Sequence, residues 1–444
     1  MISNLYKKSL LPALALVALG FGCKPDVDDP GFSTGSANFT KYVAIGDNFT
    51  AGYSNGGVTR ESQENAYPNI IARQIALAGG PATFNQPLFN GNGTGQLVLA
   101  SLPANGLPVI TRNNSNLEIR DFNGSYNVCS GPDSSFLLNK YSGDVTNLNN
   151  LGLPGLKMQL LRAPNLGSTA NLNTPLLFNP FMERILPDND SRRYIDLVSQ
   201  SNATFFTVWL GLGDLLPYVT SGGVCANRTS KANFESAAIV LVDSLTKNGA
   251  RGIIANIPEL TTLGLLSAST LQEQLRRDAG DANLTLWLTF SNTGKRAQQD
   301  ELILPAALAK IGTPDANGYR YGLDSLNPIS NAESLNYFEV GQYNVSIVDY
   351  NATINNLVTT KFPGKVYLVD MKDFLITIKD KSGFNGVTYS NEFIRGNFFS
   401  LDGFSLTPRG NAIVANRFID AINLNFNARI PKVDVNVFKG NELP

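Results

Sequence analysis

The chain contains no histidine. That removes the side chain whose ordinary pKa suits general-base chemistry near neutrality, and with it Ser-His-Asp and Cys-His mechanisms and histidine-based zinc sites. Three cysteines, Cys23, Cys129 and Cys225, are too few for a four-thiolate centre, so neither a metal nor another cofactor is expected. An excess of charge is lacking as well. Lys and Arg total 35 against 36 Asp and Glu, and a formal net charge of -1 gives no basic surface for nucleic acid. What the chain does have, over 444 residues, is 43% hydrophobic and 16% charged content, enough for one large core or two modest ones.

Long apolar runs are confined to the amino terminus. Lys7 and Lys8 precede an apolar run from Leu10 to Phe21 and then Gly22-Cys23, the layout of a secretory signal peptide over residues 1–22. The run is short for a bilayer span, which needs roughly 20 residues. A cysteine at its end resembles the lipobox of bacterial lipoproteins, in which that residue is acylated and becomes the mature first residue. Gly20 and Phe21 depart from the commonest lipobox residues, so a plain secretory peptide stays open. The resemblance implies that Cys23 carries a lipid anchor on an outer-membrane protein facing the periplasm or the surface. Residues 23–39, with Asp26, Asp28 and Asp29, read as a flexible tether. In an oxidising compartment Cys129 and Cys225 are either a disulfide or two separate buried thiols.

Beyond the tether, short apolar runs alternate with helical patterns. Runs at Tyr42 to Ile45, Thr204 to Leu210, Gly252 to Ile257 and Val366 to Met371 read as strands. Tyr67 to Ala78, Asn233 to Leu245, Tyr343 to Val358 and Pro408 to Ile422 read as helices, the last with Thr407 as N-cap and Pro408 in its first turn. This alternation implies an α/β fold with a mostly parallel sheet covered by helices on both faces. One domain over residues 40–430 is expected, followed by an extension over 431–444. Asn-, Gly-, Ser- and Pro-rich stretches near 84–144 and 265–337 are too long for connections and read as insertions. Asn90-Gly91 and Asn123-Gly124 suggest hairpins, with strands around Leu97 to Leu99 and Leu117 to Ile119.

Ligands of open α/β sheets sit beyond the carboxyl ends of the strands. The pieces there are Gly46-Asp47-Asn48-Phe49-Thr50-Ala51-Gly52-Tyr53, Asn150-Leu151-Gly152-Leu153-Pro154-Gly155, Gly211-Leu212-Gly213-Asp214 and Asp402-Gly403-Phe404-Ser405. In this order they resemble blocks I, II, III and V of the SGNH (GDSL-type) hydrolases, and Gln63 to Ala72 and Ala203 to Gly223 resemble a bacterial lipoprotein branch of that family. The resemblance implies a flavodoxin-like three-layer fold and a catalytic site at Asn48, Gly155, Gly213, Asp402 and Ser405. It also implies that the site is degenerate. Asn48 stands at the nucleophilic serine, Gly213 at the oxyanion-binding asparagine and Ser405 at the histidine. Gly155 and Asp402 keep the family residue. Asp47 and Asp214 read as structural hydrogen-bond acceptors.

A carboxamide has no proton for a base to remove, and Asp402 has no imidazole to orient. The leading expectation is therefore an inactive envelope lipoprotein that keeps the cleft as a binding surface for an acyl ester, a glycan or an envelope protein. The alternative is an active esterase or lipase that uses Thr50, Ser54 or Ser405 in a rearranged site. Lys41, at the start of the first strand, should lie at the far edge of the sheet. A purely structural component would instead have its cleft filled by the insertions.

Overall fold

The computed structural model describes residues 31–104, 106–120, 137–171, 177–188, 190–225 and 228–444. The signal segment, Cys23, Cys129 and the Asn123-Gly124 turn lie outside the described residues. Cys225 is disulfide-bonded.

Four parallel strands make the central sheet in chain order: β1 (Tyr42–Gly46), β2 (Phe205–Trp209), β3 (Arg251–Ala255) and β4 (Val366–Val369). Every residue of β1 and β2 is buried, as expected of strands covered on both faces, which is why they appear as continuous apolar runs. On the free side of β1, residues 149–153 run parallel to it. The Ala44 N–H donates to the Asn149 carbonyl (2.7 Å), and the N–H groups of Leu151 and Leu153 donate to the carbonyls of Ala44 (2.9 Å) and Gly46 (3.0 Å). Counting this segment as second in chain order, the frame has the 2-1-3-4-5 order of flavodoxin-like sheets, and the direction of strand addition reverses at β1 and β2.

Five helices matter for the site: α1 (Asn48–Ala51), α2 (Tyr67–Leu77), α3 (Lys231–Thr246), α4 (Tyr337–Asn356) and α5 (Pro408–Phe426). Right-handed crossovers in this order put α2 and α5 on one face and α3 and α4 on the other. On the first face Trp209 meets Phe49 (ring centroids 4.4 Å apart), Tyr67 (5.7 Å) and Phe418 (6.2 Å). Between α3 and α4, Phe234 and Tyr350 stack at 4.0 Å. Helix α4 starts earlier than its apolar pattern suggested, because Asn336 accepts from the N–H groups of Phe338 and Glu339 while Glu339 reaches back to the Asn336 N–H. Thr407 caps α5, accepting from the Gly410 N–H at 2.9 Å.

The described parts of both insertions are folded. Gln96–Ser101 and Val109–Asn113 form a hairpin, and Leu99 from it joins Leu286, Leu288, Ile303 and Ile329 of the second insertion in a separate small core. The tether expectation needs correction at its end. Ser33 pairs with Arg429, the Ser36 N–H donates to the Phe426 carbonyl (2.7 Å), and Phe39 packs edge-on to Phe205 at 4.6 Å. Ala37 and Phe39 supply the buried apolar surface that docks residues 33–39 on the body.

Candidate functional site

The site sits where β1 and β2 diverge, the crevice expected of this strand order. β1 ends at Gly46, where a Cβ would come within 2.0 Å of Thr50 Oγ1 and 2.3 Å of the Trp209 carbonyl. Only glycine allows α1 to close that tightly on β2. Asp47 then spans the gap between strands, its Oδ2 accepting from the N–H groups of Gly211 (3.1 Å) and Gly213 (2.7 Å). Asn48 turns the other way. Its Oδ1 accepts the Gly155 N–H at 2.8 Å, and Gly155 has a left-handed φ of 70° that a side chain would strain.

A cavity of about 370 Å³ opens above this pair. Asn48, Gly155, Tyr53, Arg112 and Asp402 give it a small polar floor, while Ile110, Leu216, Val219, Leu304 and Phe404 are among its apolar walls. The walls come from the two insertions and the short helix Leu216–Thr220, so the insertions frame the cleft and leave it open.

Three of the five expected positions, Asn48, Gly155 and Asp402, line this cavity, whereas Gly213 and Ser405 do not. At Gly213 a Cβ would sit 2.3 Å from the Leu156 carbonyl, so that position has no room for a side chain. Ser405 is fully buried, with its N–H given to Asp402 (2.7 Å) and its Oγ without a hydrogen-bond partner among the described residues. Asp402 accepts three backbone N–H groups, from Gly56, Phe404 and Ser405, and so holds its own loop against the block I turn.

The hydroxyls offered by the sequence as substitutes face elsewhere. Thr50 Oγ1 shares a hydrogen bond with the Tyr67 hydroxyl (2.9 Å), and Ser54 Oγ donates to the Leu406 carbonyl (2.8 Å). Lys41 lies at the amino end of β1, its Nζ donating to the Asn147 carbonyl.

Sequence reading missed Tyr53, Arg112 and Lys157 as parts of this region. Tyr53 ends the block I stretch, so its place in that motif was the signal available. Arg112 donates through Nη2 to the carbonyls of Gly56 (3.0 Å) and Thr94 (3.2 Å), a role that no spacing announces. Lys157 is fully buried near Asp214, and burial lowers its pKa. Burial pushes Asp47 up to about 7, against the hydrogen bonds it receives, and the neighbouring charge of Asp214 adds to that. Asp214 is likewise raised by burial, to about 6, while its bonds from Thr229 and the Met158 N–H oppose the shift. Both act as buried structural acceptors.

The sequence model of the GDSL-like lipases/acylhydrolases matches residues 42–418. The chain belongs to this family. No curated protein and no solved structure gives a significant match. The GDSL-like match runs from the first residue of β1 into α5, so it takes in the sheet, both insertions and every residue of the cleft named above.

Proposed function

We propose that this chain is a non-hydrolytic member of the GDSL-like family that binds an acyl-bearing ligand in the cleft beside Asn48. One observation carries the reading: the Asn48 carboxamide oxygen takes the Gly155 N–H, the donor that an oxyanion would need. The residue at the nucleophile position thus fills the oxyanion site itself, with a group that cannot attack. The cavity volume falls in the range of ligand pockets, and its apolar walls with few polar floor groups suit an acyl chain. With Oδ1 committed to Gly155, the amide Nδ2 of Asn48 is the donor left for a ligand carbonyl.

Rearranged hydrolysis finds little support among the described residues. No Ser, Cys or Lys lines the cleft. Thr220 lines it but donates its hydroxyl to the Leu216 carbonyl (2.9 Å). The Tyr53 phenol is held protonated, raised by burial and by the Asp402 charge. A cleft that the insertions leave open likewise speaks against a purely structural role.

The test is to titrate the purified protein with a medium-chain acyl ester and to follow p-nitrophenyl ester turnover in parallel. Saturable binding without turnover or fluorophosphonate labelling is expected. Asn48→Asp, which replaces the donor with a carboxylate, should weaken binding by roughly tenfold or more. Labelling of the wild type at a serine would overturn the reading.

We also propose that Cys23 is acylated and holds the protein to the outer membrane. Residues 33–36 dock beside Phe426 and Arg429, near the amino ends of the strands, whereas the cleft lies at their carboxyl ends. The eight residues 23–30 reach about 28 Å when extended, so the cleft would face away from the anchoring bilayer. Cells fed radiolabelled palmitate should label the wild type and leave Cys23→Ala unlabelled; equal labelling would refute the anchor.

A further inference from the structure

A second cavity, of about 540 Å³, lies behind the first. Pro108, Leu265 and Leu308 line both, so the two spaces adjoin at these residues. Their chemistry differs. The second is bordered by the helix Ala268–Ala279, the tip of the first hairpin and the turn at residues 391–395, and polar groups take a much larger share of its lining. Glu392 and Arg395 line it, both exposed to solvent, and within the described residues neither side chain makes an ion pair or side-chain hydrogen bond that would keep it from a ligand. Lys379 and Asp300 add one more charge of each sign, so the groove has no net charge.

The turn that presents Glu392 and Arg395 is strained. Ile394, between them, has a φ of 64°, a left-handed conformation that β-branched residues almost never adopt. It is locked there by Asn441, whose Nδ2 donates to the Ile394 carbonyl at 2.9 Å, and by burial of its side chain. Backbone strain of this kind persists only where the surroundings enforce it, and it collects at ligand-binding turns.

From the apolar cleft, the polar groove that adjoins it and the three residues the two share, we infer that the ligand is a neutral amphiphile, with its acyl or alkyl chain beside Asn48 and an uncharged polyhydroxyl head in the groove at Glu392 and Arg395. This rests on the acyl-binding reading above and adds the head group. Balanced charges disfavour a head with net charge, and hydroxyls, which both donate and accept, can meet Glu392 and Arg395 alike.

The experiment compares octyl glucoside, octanol and an octyl phosphocholine, all below micellar concentration, as displacers of a fluorescent acyl probe from the full chain. Octyl glucoside should displace roughly tenfold better than octanol, and the phosphocholine no better than octanol. The double variant Glu392→Ala/Arg395→Ala should erase the glucoside gain and leave octanol displacement unchanged, which also shows that the variant is folded. Equal displacement by glucoside and octanol, or a gain that survives the double variant, overturns the head-group assignment while the acyl cleft stands. A phosphocholine gain equal to that of the glucoside overturns the neutral-head assignment. If the probe itself does not bind, both readings fail.

Discussion

Gly152→Ala should cost about 3 kcal/mol of stability and abolish acyl binding together. A Cβ at this position would stand 2.4 Å from the Ala51 nitrogen and 2.6 Å from the Thr50 carbonyl carbon. Both are backbone atoms of α1, so no side-chain rotation relieves the clash. Relief requires residues 149–153 to move off β1, breaking the bonds at Ala44 and Gly46 and withdrawing the Gly155 N–H from Asn48. Urea unfolding and probe titration of the same preparation check both halves. Gly341→Ala, in the exposed part of α4 where a Cβ meets nothing within 4 Å, is the comparison and should not lower the midpoint. A Gly152→Ala midpoint equal to wild type would show that the edge segment is not what brings Gly155 to Asn48.

That segment also shows where sequence reading stops. The four strands of the sheet were legible as apolar runs, and in β1 and β2 complete burial on both faces is the cause. Residues 149–153 contain Asn149 and Asn150, which break that pattern. Their side-chain amides explain it, donating to the carbonyls of Tyr42 (2.7 Å) and Thr50 (2.8 Å) and so tying the edge to β1 and α1. Only the glycine-rich motif pointed to the segment. The candidate hydroxyls failed for a related reason. Thr50 lies two residues after Asn48 in a helical turn, about 200° around its axis, so it faces the sheet when Asn48 faces the cleft. Ser405 follows Gly403, whose φ of 80° turns the loop inward. Proximity in a motif is readable, but the face on which a side chain emerges depends on turn geometry. The cleft walls from the second insertion were less legible still, because that insertion sets part of its core on pieces as short as Leu302–Ile303, too short to leave a periodic pattern.

The buried carboxylates beneath the cleft make stability depend on pH in an unusual direction. Asp47 is raised to about 7 in the folded chain and returns to an ordinary carboxylate value on unfolding. Between about pH 4 and 7 the folded state then binds the extra proton, so stability falls as pH rises through that window and flattens above it. A shift of this size corresponds to something on the order of 4 kcal/mol, and Asp214, raised to about 6, contributes with the same sign. Asp47→Asn removes the titration and keeps an oxygen for the N–H groups of Gly211 and Gly213. Its new Nδ2 would replace Oδ1, which accepts no well-formed hydrogen bond among the described residues, so a constant penalty is expected at every pH. The difference in unfolding free energy, wild type minus Asp47→Asn, should therefore be largest near pH 4 and decline by several kcal/mol by pH 8. Urea titrations of both proteins across this range decide it. A difference that is flat with pH, or that grows toward pH 8, would mean that Asp47 is ionised throughout, and its charge, not its burial, would then be what holds Gly211 and Gly213 against β1.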